Sequence, residues 1–325
     1  MASVAGAFGL EQQQVAQPEQ RRGAAAAEPR PAKIADAALR ALQHRLIPVD
    51  IALDDALAGR LPVLPVLDRA AQGYAVAGLA VEKLDDLATA SGGMIAVVRR
   101  HHVRSYAELA GGFDRYFAML PPRTRSMLAV QAERIAALSG GAVAVARFHH
   151  AAAVEPFLDQ VHRLARRGVQ HRAPGALAAD ADVERGLVAA AQHNKLRCWV
   201  LSIAGEPAAY LHARIAGDTV RIEHYGQDPA FADLAPLAVL LLDAIRDLFG
   251  EERLRRVDLS AARSRLFDDL ATGGVASVDV TLLRPSLANR IGGVVLRGYD
   301  RTRRMLAPLG GMVRLPNLRR RQPQD

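Results

Sequence analysis

The chain has 325 residues, half of them apolar and 23% charged, with a single cysteine and a net charge of +8. That composition supports two modest domains, or one domain with appendages and a sizeable core; one cysteine excludes a disulfide framework and suits a reducing compartment. The charge is local: from Arg284 onward ten arginines stand against Asp300 and Asp325, and the remaining basic and acidic residues cancel, so the high pI belongs to the tail.

Residues 1–33 are rich in Ala, Gln, Glu, Arg and Pro without apolar periodicity, and are expected to stay disordered. Residues 1–10 lack the basic start and apolar stretch of a signal peptide. No run approaches the ~20 apolar residues of a spanning helix, so a cytoplasmic location is expected, with peripheral attachment to the inner face of the membrane as a variant. The spacing predicts a helix over 34–47 ended by Pro48, and a second over 51–59 with Asp50 as its cap. Residues 61–66, which contain Pro62 and Pro65, fit neither a helix nor a central strand. Residues 75–91 and 94–98 read as helix and strand of an abbreviated N-terminal piece, 34–104, packed on the main domain.

Residues 105–139 are helical in composition and broken at Pro121-Pro122; Phe113, Tyr116, Phe117 and Leu120 share one face. Beyond Gly140-Gly141 come an alternating strand over 142–148 and a helix over 153–167 carrying His162, followed by a loop with His171. Strands follow over 196–203, 208–216 and 219–225, then a helix over 234–249 and strands near 257–260 and 278–283. This alternation predicts an α/β sandwich. Cys198, inside a strand pattern, reads as a small buried hydrophobe. His149, His150, His162 and His171 lack metal-ligand spacing, and no metal or phosphate-loop motif occurs, so no metal is expected.

Gly217-Asp218 is a two-residue hairpin loop, which makes Ala216 and Thr219 the last pair and fixes the register before it. Tyr210 then opposes Tyr225, His212 opposes Glu223 and Arg214 opposes Arg221 on one face, while Leu211, Ala213, Ile215, Val220 and Ile222 form the apolar face. Opposed Cβ atoms lie about 5 Å apart, close enough for His212 and Glu223 to share a hydrogen bond. Two opposed arginines repel, and an anion between them relieves that.

The hairpin, residues 225–229 (YGQDP), the helix 231–245 (FADLAPLAVLLLDAI) and residues 270–273 (LATG) resemble the GNAT superfamily, in particular its FemAB-like branch with the CelD-type acyltransferases of exopolysaccharide synthesis. The resemblance spans roughly residues 105–304 and lies in pattern. Pro236-Leu237-Ala238 stands where that branch has Pro-Gly-Thr, and Leu266-Phe267 where it has Tyr-Lys. The resemblance implies a GNAT-like sandwich over 105–284 with a mixed, largely antiparallel central sheet and a degenerate N-terminal half. It also implies acyl transfer from acetyl-CoA or another acyl-CoA to a sugar, amino sugar or similar polar acceptor.

In that reading His212, oriented by Glu223, takes the acceptor proton, and Tyr225 or Tyr210 protonates the leaving thiolate. Tyr210, Arg214, Arg221 and His162 line the acceptor side. The start of the helix at Asp233 or Pro236, with Leu237 and Ala238 in its first turn, offers free backbone N–H groups to the donor's pyrophosphate. The two motif departures leave open a binding or scaffolding protein on the same fold, and a transferase using aminoacyl-tRNA is the third reading.

Residues 285–325 change character. Leu287, Ile291, Val294, Val295, Tyr299, Met305 and Leu306 fall on one helical face, and Arg290, Arg297, Arg301 and Arg304 on the other. Such a basic amphipathic helix either lies on an anionic membrane or docks on the protein body. Nucleic acid is disfavoured, because no aromatic residues interleave with the arginines.

Overall fold

The computed structural model describes residues 45–167, 181–260 and 265–286. The disorder expected of 1–33, the part 34–44 of the helix expected over 34–47, His171, and all but the first two residues of the basic segment 285–325 lie outside them. The described strands are β1 (Leu46–Asp50), β2 (Gly73–Ala80), β3 (Ile95–Glu108), β4 (Ala144–Phe148), β5 (Leu196–Ile203), β6 (Glu206–Ala216), β7 (Thr219–Gln227), β8 (Arg256–Asp258) and β9 (Gly273–Leu283). They form one sheet in the order β1-β2-β9-β3-β8-β7-β6-β5-β4. Only β1/β2 and β7/β8 run parallel. The mixed, largely antiparallel sheet read from the sequence is present.

The helices are α1 (Leu53–Leu57), α2 (Leu84–Ala90), α3 (Phe113–Met119), α4 (Pro122–Leu138), α5 (Val154–Arg166), α6 (Ala181–Gln192), α7 (Pro236–Leu248) and α8 (Arg265–Asp269). Alternation along β6 sends Leu211, Ala213 and Ile215 to one face, where they pack with Tyr116 of α3, Ile135 of α4 and Leu241 of α7. Its other face sends Tyr210 to a second core with Cys198, Phe157 of α5 and Leu187 of α6. Cys198 is fully buried, as expected of a small hydrophobe, and burial pushes its thiol up. Ten of the thirteen residues of α7 are buried, because an apolar stripe this wide needs cover nearly all round.

The N-terminal region departs from the periodicity reading. Residues 46–50 are a strand, with Pro48 tolerated because β1 is the sheet's edge. Helix α1 is capped at Ala52, and Asp50 ends β1 instead of capping. Residues 75–80 belong to β2, leaving only Leu84–Ala90 as α-helix, and β3 runs fourteen residues to Glu108, through a stretch read as helix. The alternation of β3 was concealed because it carries Arg100, His102 and Arg104 toward acids, half-buried Asp279 and buried Asp258. Arg100 and His102 meet Asp279, and Arg104 meets Asp258. Residues 46–104 thus supply β1, β2 and most of β3 to the same sheet as the strands that follow.

Candidate functional site

Strands β7 and β8 pair over three positions only: Thr219 with Arg256, Val220 with Val257 and Arg221 with Asp258. Beyond Asp258 the chain stays with β3, since Leu259 N donates to Ser105 O at 3.0 Å, while β7 runs on with β6 to Gln227. The pairing of the two parallel strands ends there among the described residues, which leaves an opening in the hydrogen-bond ladder at their carboxyl ends, the side on which open α/β sheets take ligands.

The register set by the hairpin loop holds from Ala216–Thr219 through Arg214–Arg221 to Ala213–Ile222, and then slips by one. His212 opposes His224, not Glu223, and Tyr210 opposes Gly226, not Tyr225. Glu223 is the extra residue of a β-bulge, a local kink that no glycine in the sequence announces. The slip turns Tyr225 to the α7 layer, where its ring meets Phe267 at 5.0 Å, whereas Tyr210 stays in the α5 layer against Phe157 at 6.3 Å. The two tyrosines do not share a face. Burial pushes the Tyr210 phenol up.

The bulge nevertheless leaves Glu223 beside the residues expected near it. Its Oε2 lies 3.3 Å from Arg214 Nε and 3.9 Å from His212 Nδ1, the latter too long for a hydrogen bond. His212 is buried and stacks on His224 at 5.4 Å, and neither of its ring nitrogens has a hydrogen-bond partner among the described residues. Burial, then the neighbouring His224 and Arg214, push its pKa down to about 3, so the ring is neutral at pH 7. Arg214 and Arg221 stand directly opposed, each side chain 43% exposed, and Arg221 meets Asp50 at 3.6 Å. His162 sits on α5 with Nε2 buried and, among the described residues, neither a hydrogen-bond partner nor a contact that joins it to the arginine pair.

Helix α7 begins after a 3₁₀ turn, Pro229–Leu234, and a left-handed residue, Ala235. Pro236 has no N–H; Leu237 N donates to Gln227 Oε1 at 3.4 Å, and Ala238 N and Val239 N donate to Ala235 O at 2.9 and 3.3 Å. The donors expected to be free for a pyrophosphate are engaged by the chain itself. Asp233 O accepts from Arg134 Nη1 at 3.3 Å, and Asp228 of the YGQDP segment caps the 3₁₀ turn through Ala230 N at 2.9 Å.

Two groups at the opening escaped the sequence reading. Asp258 and Arg104 form a buried ion pair at 2.7 Å, and Asp258 also accepts from Ser260 N and Oγ at 3.0 and 2.5 Å. Arg104 donates further to Ile51 O and Gly78 O, tying the N-terminal strands to the end of β8. The only signal was an arginine inside an alternating run. The LATG segment is structural: Thr272 N donates to Tyr106 O at 2.9 Å, and a Cβ on Gly273 would sit 2.5 Å from the Tyr106 ring. A shallow depression of about 670 Å³, lined by Asp54, Arg60, Asp218 and Arg256, lies at the turn end of the hairpin, away from the opening. Among the described residues no group of three or more His, Cys, Asp or Glu could hold a metal ion, and no helix is long and apolar enough to cross a membrane.

Residues 122–268, from α4 to α8, match a family model described as the acetyltransferase (GNAT) domain. The fold is GNAT-like. The matched stretch contains the bulge, the opening and α7. Among solved structures, the chain is similar to the C-terminal domain named as that of a lysylphosphatidylglycerol synthetase from Agrobacterium fabrum (12% identity, 72% of each chain covered, TM-score 0.48). It is also similar to FemX (10% identity, 70% of this chain and 75% of that one, TM-score 0.48) and to L-PGS from Bacillus licheniformis (12% identity, 69% and 72%, TM-score 0.43). No curated protein matches the sequence.

Proposed function

We propose that the chain transfers an acyl group from acetyl-CoA or another acyl-CoA to a hydroxyl or amino group of a sugar, amino sugar or similar polar metabolite, a step of polysaccharide biosynthesis. The observation that carries this reading is the parting of β7 from β8 beyond Arg221, with the Glu223 bulge at its edge. Past that point β7 and β8 are unpaired among the described residues, and the β7 backbone there is assigned to the thioester carbonyl, whose oxygen gains negative charge. The acceptor oxygen or nitrogen attacks that carbonyl, the C–S bond breaks, the acceptor's proton passes to a base, and the thiolate is protonated as it leaves.

Of the His212–Glu223 pair, Glu223 is the group assigned to receive the proton. Its side chain is 28% exposed, whereas His212 is 2% exposed and holds a proton only in strong acid. Tyr225, two residues past the bulge, is assigned to the leaving thiolate. Arg214 and Arg221, half-exposed on the face away from α7, are assigned to the acceptor.

Titration calorimetry with acetyl-CoA, hexanoyl-CoA and desulfo-CoA tests the reading. Micromolar binding, weakened by Pro236→Glu, supports it; absence of binding to every acyl-CoA overturns it. The engaged donors of Leu237 and Ala238 favour a second reading, a non-catalytic binding protein on the same fold. Acyl-CoA binding without turnover of any acceptor would select it. A tRNA-dependent transfer fits less well, since the body before Arg284 carries no net charge to draw in nucleic acid.

A further inference from the structure

Strands β6 and β7 set Arg214 and Arg221 directly opposite each other, just ahead of the Glu223 bulge. Arg221 is also the last residue of β7 that pairs with β8, so the arginine pair stands where the opening begins. Directly opposed Cβ atoms lie about 5 Å apart, and like charges there repel. Elsewhere in the sheet each arginine is given an acid. Arg197 of β5 forks onto Glu251 through two nitrogens, both at 2.6 Å, Arg256 of β8 meets Asp54 at 2.7 Å and Glu108 at 3.1 Å, and Arg104 of β3 meets Asp258 at 2.7 Å.

The opposed pair has no such partner. Arg221 Nη1 lies 3.6 Å from Asp50 Oδ2, beyond hydrogen-bond range, and the Asp50 side chain is 62% exposed. Arg214 Nε lies 3.3 Å from Glu223 Oε2, yet it is buried and makes no hydrogen bond among the described residues. Asp258 stands opposite Arg221 in the β7/β8 register, but its carboxylate is taken by Arg104 and by Ser260 N and Oγ. Both arginine side chains are 43% exposed, so a solute reaches them.

A guanidinium presents its N–H donors as a rigid fork, and one fork is enough for a carboxylate. Two unfilled forks side by side suit a phosphoryl group, whose oxygens accept from both and whose charge cancels the repulsion between them. The acids that face the pair are Asp50, which water screens, and Glu223, the group assigned to take the acceptor's proton. We propose that Arg214 and Arg221 form a phosphoryl subsite, so that the acceptor is a phosphorylated metabolite, either a sugar phosphate or a nucleotide-linked sugar. Its role as acceptor rests on the transferase reading, whereas the subsite itself is assayed without acyl-CoA.

The test is titration calorimetry of the full chain, free of acyl-CoA, with glucosamine, glucosamine 6-phosphate, UDP-glucosamine and inorganic pyrophosphate. The phosphorylated probes should bind at least tenfold more tightly than glucosamine and weaken as salt rises. The tighter of glucosamine 6-phosphate and UDP-glucosamine names the source of the phosphoryl group. R214Q/R221Q should weaken the phosphorylated probes at least tenfold and leave acetyl-CoA titration unchanged, while R214K/R221K, which keeps the charges without the forks, should recover part of the loss. In urea the R214Q/R221Q midpoint should equal or exceed that of wild type, because a repulsion is removed; a lower midpoint would mean that Asp50 and Glu223 hold the pair for the fold, and would overturn the argument. So would the absence of binding by every phosphorylated probe, glucosamine binding as tightly as they do, or R214Q/R221Q binding them like wild type. Weaker acetyl-CoA binding by R214Q/R221Q would also overturn it, by giving the pair to the donor's phosphates. If acetyl-CoA fails to bind wild type while R214Q/R221Q still loses the phosphorylated probes, the transferase reading falls and the subsite stands.

Discussion

Replacing Arg104 by Met tests whether the ion pair at the end of β8 holds the two halves of the sheet together. In the wild type the Arg104 and Asp258 side chains are 5% and 2% exposed and meet at 2.7 Å, and Arg104 also serves Ile51 O and Gly78 O. The methionine fills similar volume but leaves the Asp258 carboxylate buried with only the Ser260 donors. Breaking a buried pair from one side costs about 3–5 kcal/mol, a large part of the ~5–15 kcal/mol that keeps a domain folded. With a urea slope of about 3 kcal/mol/M, the midpoint should drop by roughly 1 to 1.7 M. Trp199, the sole tryptophan and buried in β5, reports the transition by fluorescence. Adding Asp258→Leu removes the stranded charge, so the double variant should recover at least ~1 kcal/mol over Arg104→Met. A loss below about 1 kcal/mol for Arg104→Met, or no recovery in the double variant, would refute the reasoning.

Gly273→Ala should destabilise by about 1–3 kcal/mol in the same assay, because its Cβ would fall 2.5 Å from the Tyr106 ring; an unchanged midpoint would mean that β3 and β9 yield there. Stability should also fall with acid. His212, held at about 3 when folded, takes a proton near pH 6.5 once unfolded, so its contribution is complete above 6.5 and is lost as pH drops toward 3, by up to ~1.4 kcal/mol per pH unit. His149, lowered to about 4 by burial, acts in the same direction. His212→Gln should give a shallower dependence between pH 6.5 and 4 than wild type, and equal slopes would contradict the burial argument. In the proposed acyl transfer, Glu223→Gln should slow turnover about 10²-fold or more and His212→Gln less than tenfold; the reverse order would restore the histidine as base.

Most of the fold was legible where the pattern of apolar residues was unbroken. The run 196–203, the hairpin loop at Gly217-Asp218 and the all-apolar α7 each specify an element by composition and length, and each is present within two residues of its expected bounds. Strand β3 was misread for a physical reason. Alternation is visible only if inward residues are apolar, and β3 turns Arg100, His102 and Arg104 toward Asp279 and Asp258. A buried ion pair needs a partner far along the chain, here 154 residues away, which no local window contains. Proline misled in the same region: Pro48 reads as a helix stop but sits in an edge strand, a position that depends on which strands lie beside it.

The site was legible up to a single residue. Counting back from the hairpin loop gives correct partners as far as Ala213, and the bulge at Glu223 then moves every later side chain of β7 across the sheet. That one insertion separates Tyr225 from Tyr210, stacks His224 on His212, and leaves Glu223 facing Arg214 at the edge where β8 departs. Composition cannot reveal it, because Ile222, Glu223 and His224 carry no turn signal. Deleting Glu223 should therefore restore the simple register, bring Tyr225 opposite Tyr210, and draw the far end of β7 back toward straight pairing. If the bulge makes the opening, that deletion should abolish acyl-CoA binding while leaving the far-UV circular dichroism spectrum of a folded α/β protein. Retained binding would separate the opening from the bulge and assign it to the early end of β8 alone.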